Sequence, residues 1–341
     1  MAYAIKKGSD YFNTVTYTGN GTSQSITGVG FSPDLVWVKN RNSTQDHSVY
    51  DTVRGISRRI YTNGTFTEDY NIGNGITSFD SDGWTTGNLA GVNTNTYTYA
   101  SWNWRGSDSA AVTNTNGTIT SQVSANPTSG FSVVTYTGNN GASGTIGHGL
   151  GVAPSVIITK ARNLSAGWPT LVNTGSTIYY GLRLNSTATN DSGAGSVFYN
   201  NTPPTSTVYT VGGSDETNDN YNYVSYCFAN VEGFSKIGSY TGNGSADGTF
   251  VYTGFRPALL IWRRTDASEV WQITDSKINS YNVINKRLYV AYNFDELVAT
   301  RLDFVSNGFK FRDPDSDTNA SGGTYIYMAF AENPFKNSLA R

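Results

Sequence analysis

The sequence predicts an all-β protein made of three tandem, related antiparallel β-sandwich domains of jelly-roll-like type. The string Tyr-Thr-Gly-Asn occurs three times, beginning at Tyr17, Tyr136 and Tyr240, so the copies lie 119 and 104 residues apart. Repeats of that length are domains, because solenoid repeats run about 20–50 residues. The composition, with 13% aromatic residues and 37 glycines, favours short strands joined by tight turns.

Recurring anchors divide the 341-residue chain into segments. Each copy has an opening strand, a proline followed by an apolar strand, an aromatic or histidine 14 residues after that proline, and a closing strand with alternating tyrosines. The predicted segments are a lead-in at 1–11, domain one at 12–104, a connector at 105–130, domain two at 131–230, domain three at 231–332 and a tail at 333–341.

Each anchor has a physical reading. Residues 12–17 alternate apolar and polar side chains, as half-buried strands do. Pro33 precedes the continuous apolar run at 35–38, which is typical of a strand covered on both sides. We expect the glycine of Tyr-Thr-Gly-Asn to occupy a turn position with positive φ. In the connector, Asn116-Gly117 between short β-prone stretches indicates a hairpin. No window shows a sustained helical period.

The repeated residues are interpreted as architecture. The alternating tyrosines lie on one face of each closing strand, where aromatic cross-strand pairs stabilise a sheet, so we expect them in the core. They are Tyr97, Tyr99, Tyr221, Tyr223, Tyr325 and Tyr327. Recognition is therefore expected where the copies differ, in the loops 62–77, 185–205 and 311–323.

Charge and cysteine content exclude several classes of protein. The chain has 23 basic and 25 acidic residues, which is poor material for nucleic-acid binding. No stretch approaches the roughly 20 apolar residues of a membrane span, and the first residues lack the apolar run of a signal peptide. Cys227, in an apolar strand, is expected to be a small buried residue.

Few groups of residues have the pattern of a catalytic or metal site. We expect no catalytic residue, no cofactor-binding residue, no cofactor and no metal site. His47 and His148 stand at non-equivalent positions, and His148 is expected in a solvated loop. Four oxygen-bearing side chains alternate along one loop, as in calcium loops, but without the glycine and closing glutamate of an EF-hand. They are Asp313, Asp315, Asp317 and Asn319, and the alternatives of an ordinary acidic turn and a calcium loop stay open.

Several strings resemble a repeated β domain found in virion proteins of marine tailed phages, including cyanobacterial phages. The resemblance covers residues 12 to about 335 and is carried by residues 12–21, 31–41, 147–154, 240–244, 252–257 and 325–335. It implies a virion component of the kind commonly found among tail proteins. A low-charge, disulfide-free β protein also suits a particle that is assembled in a reducing cytosol.

The sequence hypothesis is a phage virion surface protein, a tail fibre or tail appendage that attaches to a host receptor or glycan. It would be assembled in the host cytoplasm and displayed on the particle. Expected partners are other virion proteins, the host glycan and, by analogy with fibres, two further copies in a homotrimer. No nucleic acid and no membrane insertion are expected. The alternatives are a structural capsid-decoration or tail-connector protein and a tail enzyme that degrades polysaccharide.

Overall fold

The computed structural model describes residues 5–331. The protein is mostly β, with 44% strand and 4% helix, and its strands form several antiparallel sheets. This confirms the predicted all-β class. The predicted tail at 333–341 and the first four residues of the lead-in lie outside the described residues.

The first stretch of sheet, residues 12–104, is called unit 1 and follows a 3-10 helix at Gly8–Asp10. Its elements are β1 Phe12–Thr18, β2 Gln24–Thr27, β3 Leu35–Asn40, β4 Ser48–Asp51, β5 Arg58–Arg59, β6 Asp69–Tyr70, β7 Ile76–Asp80, β8 Gly83–Thr86, α1 Ala90–Asn93 and β9 Thr98–Trp104. The main sheet has the order β1-β9-β3-β4, and β2-β8-β7 form a second sheet. Every residue of β3 is buried, as its continuous apolar run predicts.

The second stretch, residues 131–228, is called unit 2, and a hairpin in the predicted connector extends its main sheet. The elements are β10 Val112–Asn114, β11 Ser121–Asn126, β12 Phe131–Thr137, β13 Ser143–Gly147, β14 Val156–Ala161, β15 Pro169–Asn173, β16 Ile178–Arg183, α2 Ser192–Phe198, β17 Val208–Gly212 and β18 Asn222–Phe228. The order is β10-β11-β12-β18-β14-β15-β16, with β13-β17 as a second sheet. A hairpin is present in the connector, because β10 pairs antiparallel with β11. Its second strand begins at Ser121, so the expected stretch 118–120 lies with Asn116-Gly117 in the loop and does not form that strand.

Helix α2 was not predicted. Seven residues with two glycines give no helical period, and the cap is the one local signal, since the Asp191 carboxylate accepts a hydrogen bond from Gly193 N at 2.8 Å. The helix instead follows from tertiary packing, because Phe198 is buried in the core of unit 2.

The third stretch, residues 235–331, is called unit 3. Its elements are β19 Ser235–Thr241, β20 Phe250–Tyr252, β21 Pro257–Arg264, β22 Gln272–Asp275, β23 Ile284–Tyr289, β24 Leu297–Val305, β25 Gly308–Phe311 and β26 Thr324–Ala331. They form one nearly closed eight-stranded barrel in the order β19-β26-β21-β22-β23-β24-β25-β20.

The three units share one pairing pattern. In each, the opening strand pairs with the closing strand, which pairs with the proline strand, which pairs with the strand after it. Each unit also has a core of its own. The registers place Leu35, Val156 and Leu259 opposite Trp104, Phe228 and Phe330, so positions can be matched residue by residue.

A further core is shared by all three units. Trp104, Phe228 and Phe330 occupy the same register position, are at most 3% exposed and touch pairwise in T-shaped contacts. Their ring centroids are 5.8, 5.6 and 5.9 Å apart. Residues of the proline strands and closing strands of every unit surround this trio. The units therefore pack their main sheets around one pseudo-threefold point.

A ring of hydrogen bonds joins each unit to the next. In each unit, the residue 14 positions after the proline that precedes the apolar strand contacts a main-chain carbonyl of another unit. The carbonyls lie at equivalent positions in the three units. The three contacts are His47 Nε2 with Tyr289 O at 2.9 Å, Trp168 Nε1 with Tyr61 O at 2.8 Å, and Trp271 Nε1 with Arg183 O at 3.1 Å. The positional equivalence of His47 with the two tryptophans follows from these contacts.

Replacing Trp104 with alanine should lower the free energy of unfolding by about 3–5 kcal/mol, because removal of a large buried ring leaves a cavity. The whole chain should still unfold in one transition, since all units contribute to the shared core. Denaturant titration followed by tryptophan fluorescence and circular dichroism measures both quantities.

The matched control is Tyr252→Ala, because Tyr252 is 65% exposed. Its effect should stay within about 0.5 kcal/mol. Separate transitions for separate units would contradict the expectation.

Candidate functional site

The repeated tyrosines form the same clasp in every unit. Tyr17, Tyr136 and Tyr240 stack on Tyr99, Tyr223 and Tyr325 across the opening and closing strands, with centroids 5.0, 5.1 and 4.7 Å apart. The hydroxyls of the first three donate to the carbonyls of Val92, Thr217 and Thr318, each at 2.7 Å. The clasp thereby holds the loop that precedes each closing strand.

The predicted core role is confirmed for Tyr99, Tyr223, Tyr325 and Tyr327, which are buried, whereas Tyr97 and Tyr221 are half-buried. The Tyr-x-Tyr string of unit 3 is not in register with those of units 1 and 2. Tyr325 matches Tyr99 and Tyr223 in register, and Tyr327 is shifted by two residues.

The expected positive φ of the motif glycine is wrong. Positive φ values belong instead to the residue two positions later, with 72° at Gly21, 54° at Asn140 and 68° at Gly244. The motif glycine is needed for close approach. A Cβ on Gly19, Gly138 or Gly242 would lie 2.1 to 2.2 Å from the carbonyl oxygen of Thr94, Asp219 or Ala320.

One asparagine per unit has a structural role that the sequence patterns did not predict. Asn93, Asn218 and Asn319 are buried, and their side-chain oxygens accept hydrogen bonds from the main-chain nitrogens of Asn20, Asn139 and Asn243. The available signal was an asparagine five or six residues before each clasp tyrosine of the closing strand. Asn319 of the acidic loop therefore has a structural role shared with the other units.

The acidic loop faces arginine. Nη1 of Arg301 contacts Asp313 and Asp317 at 3.4 Å each and also pairs with Asp315, while Arg287 Nη2 lies 3.4 Å from Asp317. Burial raises the pKa of Asp313. Among residues 5–331, no group of three or more His, Cys, Asp and Glu side chains is arranged to hold a metal ion.

The two histidines are both buried, so the expectation of a solvated His148 is wrong. Its Nδ1 accepts from Leu150 N at 3.2 Å, and Nε2 lies 3.2 Å from Thr205 O. His47 Nδ1 accepts from Trp37 Nε1, so its Nε2 carries the proton and donates to Tyr289 O. Burial and then nearby Lys39 lower the pKa of His47 to about 3, which leaves it neutral.

Cys227 is buried, as predicted, and burial raises the pKa of its thiol to about 12. Such a thiol is unreactive at neutral pH.

A buried cation stands at one equivalent position of each proline strand. Lys39, Lys160 and Arg263 pair in register with Ala100, Val224 and Ile326. Burial lowers the pKa of the two lysines to about 8 and that of Arg263 to about 10. Lys160 Nζ donates to three carbonyls, of which Thr65 O, at 3.3 Å, belongs to unit 1.

Two equivalent loops reach from one unit to the next, and we call residues 62–68 and 290–296 the arm loops. Glu68 N donates to Arg162 O at 2.6 Å, and Glu296 N donates to Arg41 O at 2.7 Å. The same glutamates pair with the guanidinium groups of those arginines at 2.9 and 2.7 Å. Burial alone would raise the pKa of Glu68, but Arg162 and Arg54 lower it to about 2.

Each arm loop presents aromatic rings to solvent. In unit 1, Phe66 is 55% exposed and its ring meets Tyr61 edge-on at 5.5 Å. In unit 3, Phe294 is 45% exposed, Tyr292 is 37% exposed, and their rings lie 5.0 Å apart beside Tyr289. We call these two groups the aromatic platforms of unit 1 and unit 3.

The platforms occupy matching positions. Tyr61 and Tyr289 are equivalent because each offers its carbonyl to the same inter-unit contact, and Phe66 and Phe294 both follow five residues later. An arginine two residues earlier stacks on each tyrosine, with guanidinium carbon to ring centroid distances of 4.3 Å for Arg59 and 5.4 Å for Arg287. Of the loops expected to carry recognition, 62–77 therefore holds one platform, and the second lies outside the predicted ranges.

Unit 2 differs at this position. Arg183 stands where the tyrosines are, its guanidinium stacks on buried Phe198 at 4.6 Å, and it pairs with Glu216 at 3.0 Å. The equivalent of Phe66 is Ala188, whose carbonyl accepts from Arg263. The described part of unit 2 thus offers no matching platform.

A family described as a domain of unknown function, DUF7483, matches residues 7–334, so the chain belongs to that family. No curated protein matches the chain. No helix within residues 5–331 is both long and apolar enough to cross a membrane.

Replacing Gly19 with alanine should lower the free energy of unfolding by about 2–4 kcal/mol, because the new Cβ meets a main-chain oxygen that the clasp fixes in place. Gly213→Ala is the matched control, since its Cβ would have no neighbour closer than 3.4 Å and its φ is not positive. Urea titration compares the two, and equal effects would contradict the close-approach role.

Stability should rise between about pH 8 and pH 9. In that window the unfolded lysines stay protonated while folded Lys39 and Lys160, with pKa about 8, lose protons, so the unfolded state binds more protons. Each lysine contributes up to about 1 kcal/mol over this pH unit.

Chemical denaturation at several pH values measures the slope, which Lys160→Met should reduce. Exposed Lys6→Met is the control and should leave the slope unchanged. The thiol of Cys227 acts in the opposite direction within the same window, because its folded pKa is raised while the unfolded thiol ionises near its ordinary pKa of about 8.5. The two lysines together outweigh this single group up to about pH 9. An unchanged slope in Lys160→Met would refute the assignment.

Proposed function

We propose that this member of the DUF7483 family is a surface protein of a phage virion, a tail fibre or tail appendage that attaches to a glycan on the host envelope. The observation that carries the proposal is the pair of exposed aromatic platforms. The sequence resemblance to virion proteins of marine tailed phages supports the placement. Other virion proteins would anchor the chain in the particle.

We further propose that the three units are copies of one jelly-roll-like sandwich domain. The shared order of opening, closing and proline strands supports common descent. The second sheets β2-β8-β7 and β13-β17 support a sandwich in units 1 and 2. In unit 3 the equivalent strands β20 and β25 join the main sheet and complete the barrel.

The platforms suit a sugar because each combines flat apolar rings with polar neighbours. A pyranose ring presents an apolar C–H face that stacks on an aromatic ring, and its hydroxyls hydrogen-bond at the edge. In unit 1 the Tyr61 hydroxyl lies at the platform and donates to exposed Asp69 at 2.9 Å. Scattered exposed apolar residues are ordinary, but rings in mutual contact at matched positions indicate a binding surface.

Labelled protein mixed with a panel of marine bacteria that includes cyanobacteria tests the proposal. The wild-type protein should bind at least one strain and should block adsorption of the phage that carries it. The double variant Phe66→Ala/Phe294→Ala should bind that strain about 5- to 150-fold more weakly, since each lost aromatic contact is worth about 0.5–1.5 kcal/mol.

Tyr252→Ala is the control, because Tyr252 is a strongly exposed aromatic outside both arm loops. If the protein bound no strain, and an electron cryomicroscopy map of the particle placed it on the capsid, the protein would be a capsid-decoration protein and not an attachment protein. Release of reducing sugar from the envelope would indicate a degrading enzyme instead.

A further inference from the structure

We infer that the two aromatic platforms are two equivalent binding sites for one kind of ligand, a neutral polysaccharide with a repeating unit, which the chain holds bivalently. The inference rests on the proposed attachment function. It adds the number of sites, their positions and the chemical class of the ligand.

Structural equivalence supports the number of sites. Tyr61 with Phe66 and Tyr289 with Phe294 have the same spacing along the chain, the same stacked arginine and the same carbonyl contact to the neighbouring unit. Each arm loop is also fixed by a glutamate at its end, Glu68 or Glu296. Two surfaces that share a tyrosine, a phenylalanine and a stacked arginine at matched positions are suited to the same chemical group.

The size of each platform supports a sugar over a protein partner. A stable protein interface buries about 800 Å² on each partner, whereas each platform offers only two or three rings. One such platform suits one or two sugar rings and gives weak binding by itself. Two platforms on one body raise the affinity for a polymer through effective concentration.

Charge supports a neutral ligand. Asp69 is exposed beside the unit 1 platform and Asp295 beside the unit 3 platform, and these carboxylates repel an anionic polymer. Arg59 is engaged beneath its platform, because Nε donates to Ser48 Oγ at 2.9 Å and the guanidinium stacks on Tyr61. The net charge of −2 provides no long-range attraction for an acidic chain.

The arm-loop position also explains why we expect no sugar site in unit 2. The position of the platform tyrosine is occupied in unit 2 by Arg183, which pairs with Glu216 and stacks on Phe198. The expected stoichiometry is therefore two sugar sites in each chain.

The test uses envelope polysaccharide purified from the strain that the protein binds, either intact or hydrolysed to short oligosaccharides. Calorimetry with the oligosaccharides should give two weak sites per wild-type chain. Intact polysaccharide should bind about 100-fold more tightly than the fragments. Phe66→Ala and Phe294→Ala should each retain one fragment site and lose most of the gain shown by the intact polymer.

Phe66→Leu and Phe294→Leu, which keep apolar bulk but remove the ring, serve if an alanine variant unfolds, and they should behave in the same way. Tyr252→Ala should retain two sites. One site in the wild-type chain, or complete loss of binding from a single substitution, would overturn bivalency while leaving attachment intact. Failure of the wild-type chain to bind the polysaccharide in either form would overturn both.

Discussion

The contact among Trp104, Phe228 and Phe330 is the constraint on which the rest of the structure depends. Trp104 and Phe228 end their closing strands, and Phe330 is the last residue but one of β26. Each closing strand is the hub of its main sheet, paired with the opening strand on one side and the proline strand on the other. Bringing the three rings together therefore fixes three sheets at once. Burial of large aromatic rings is among the strongest single sources of stability in a core.

The contacts between neighbouring units, which we call the seams, follow from the packing of these three rings. Once the main sheets face one another, the residue 14 positions after each proline meets a carbonyl of the next unit, and two arm loops lie along the seams held by Glu68 and Glu296. Unit 3 bonds to unit 2, unit 2 to unit 1, and unit 1 to unit 3. The aromatic platforms are thus products of the seams, because the arm loops take their shape from contacts with another unit.

Much of the architecture was accessible from local patterns. The opening, proline and closing strands and the buried state of Cys227 follow from alternation and continuous apolar runs. The connector hairpin was expected at Asn116-Gly117, but it closes through the longer loop 115–120. The patterns failed where long-range packing decides. Gly147-His148-Gly149 has the composition of a solvated loop, yet His148 is buried, since the chain at Thr205 and Leu150 covers its ring. Helix α2 likewise has a cap but too few residues for a period.

The sequence by itself determined that the chain is β-rich, that one pattern of anchors occurs three times, and that Tyr99, Tyr223 and Tyr325 belong to the core, because these properties depend on neighbours along the chain. Only the tertiary structure decided that the three copies share one core and that Phe66 and Phe294 occupy matching exposed places. Those residues are 228 positions apart. Their equivalence arises from contacts between units, which no local periodicity encodes.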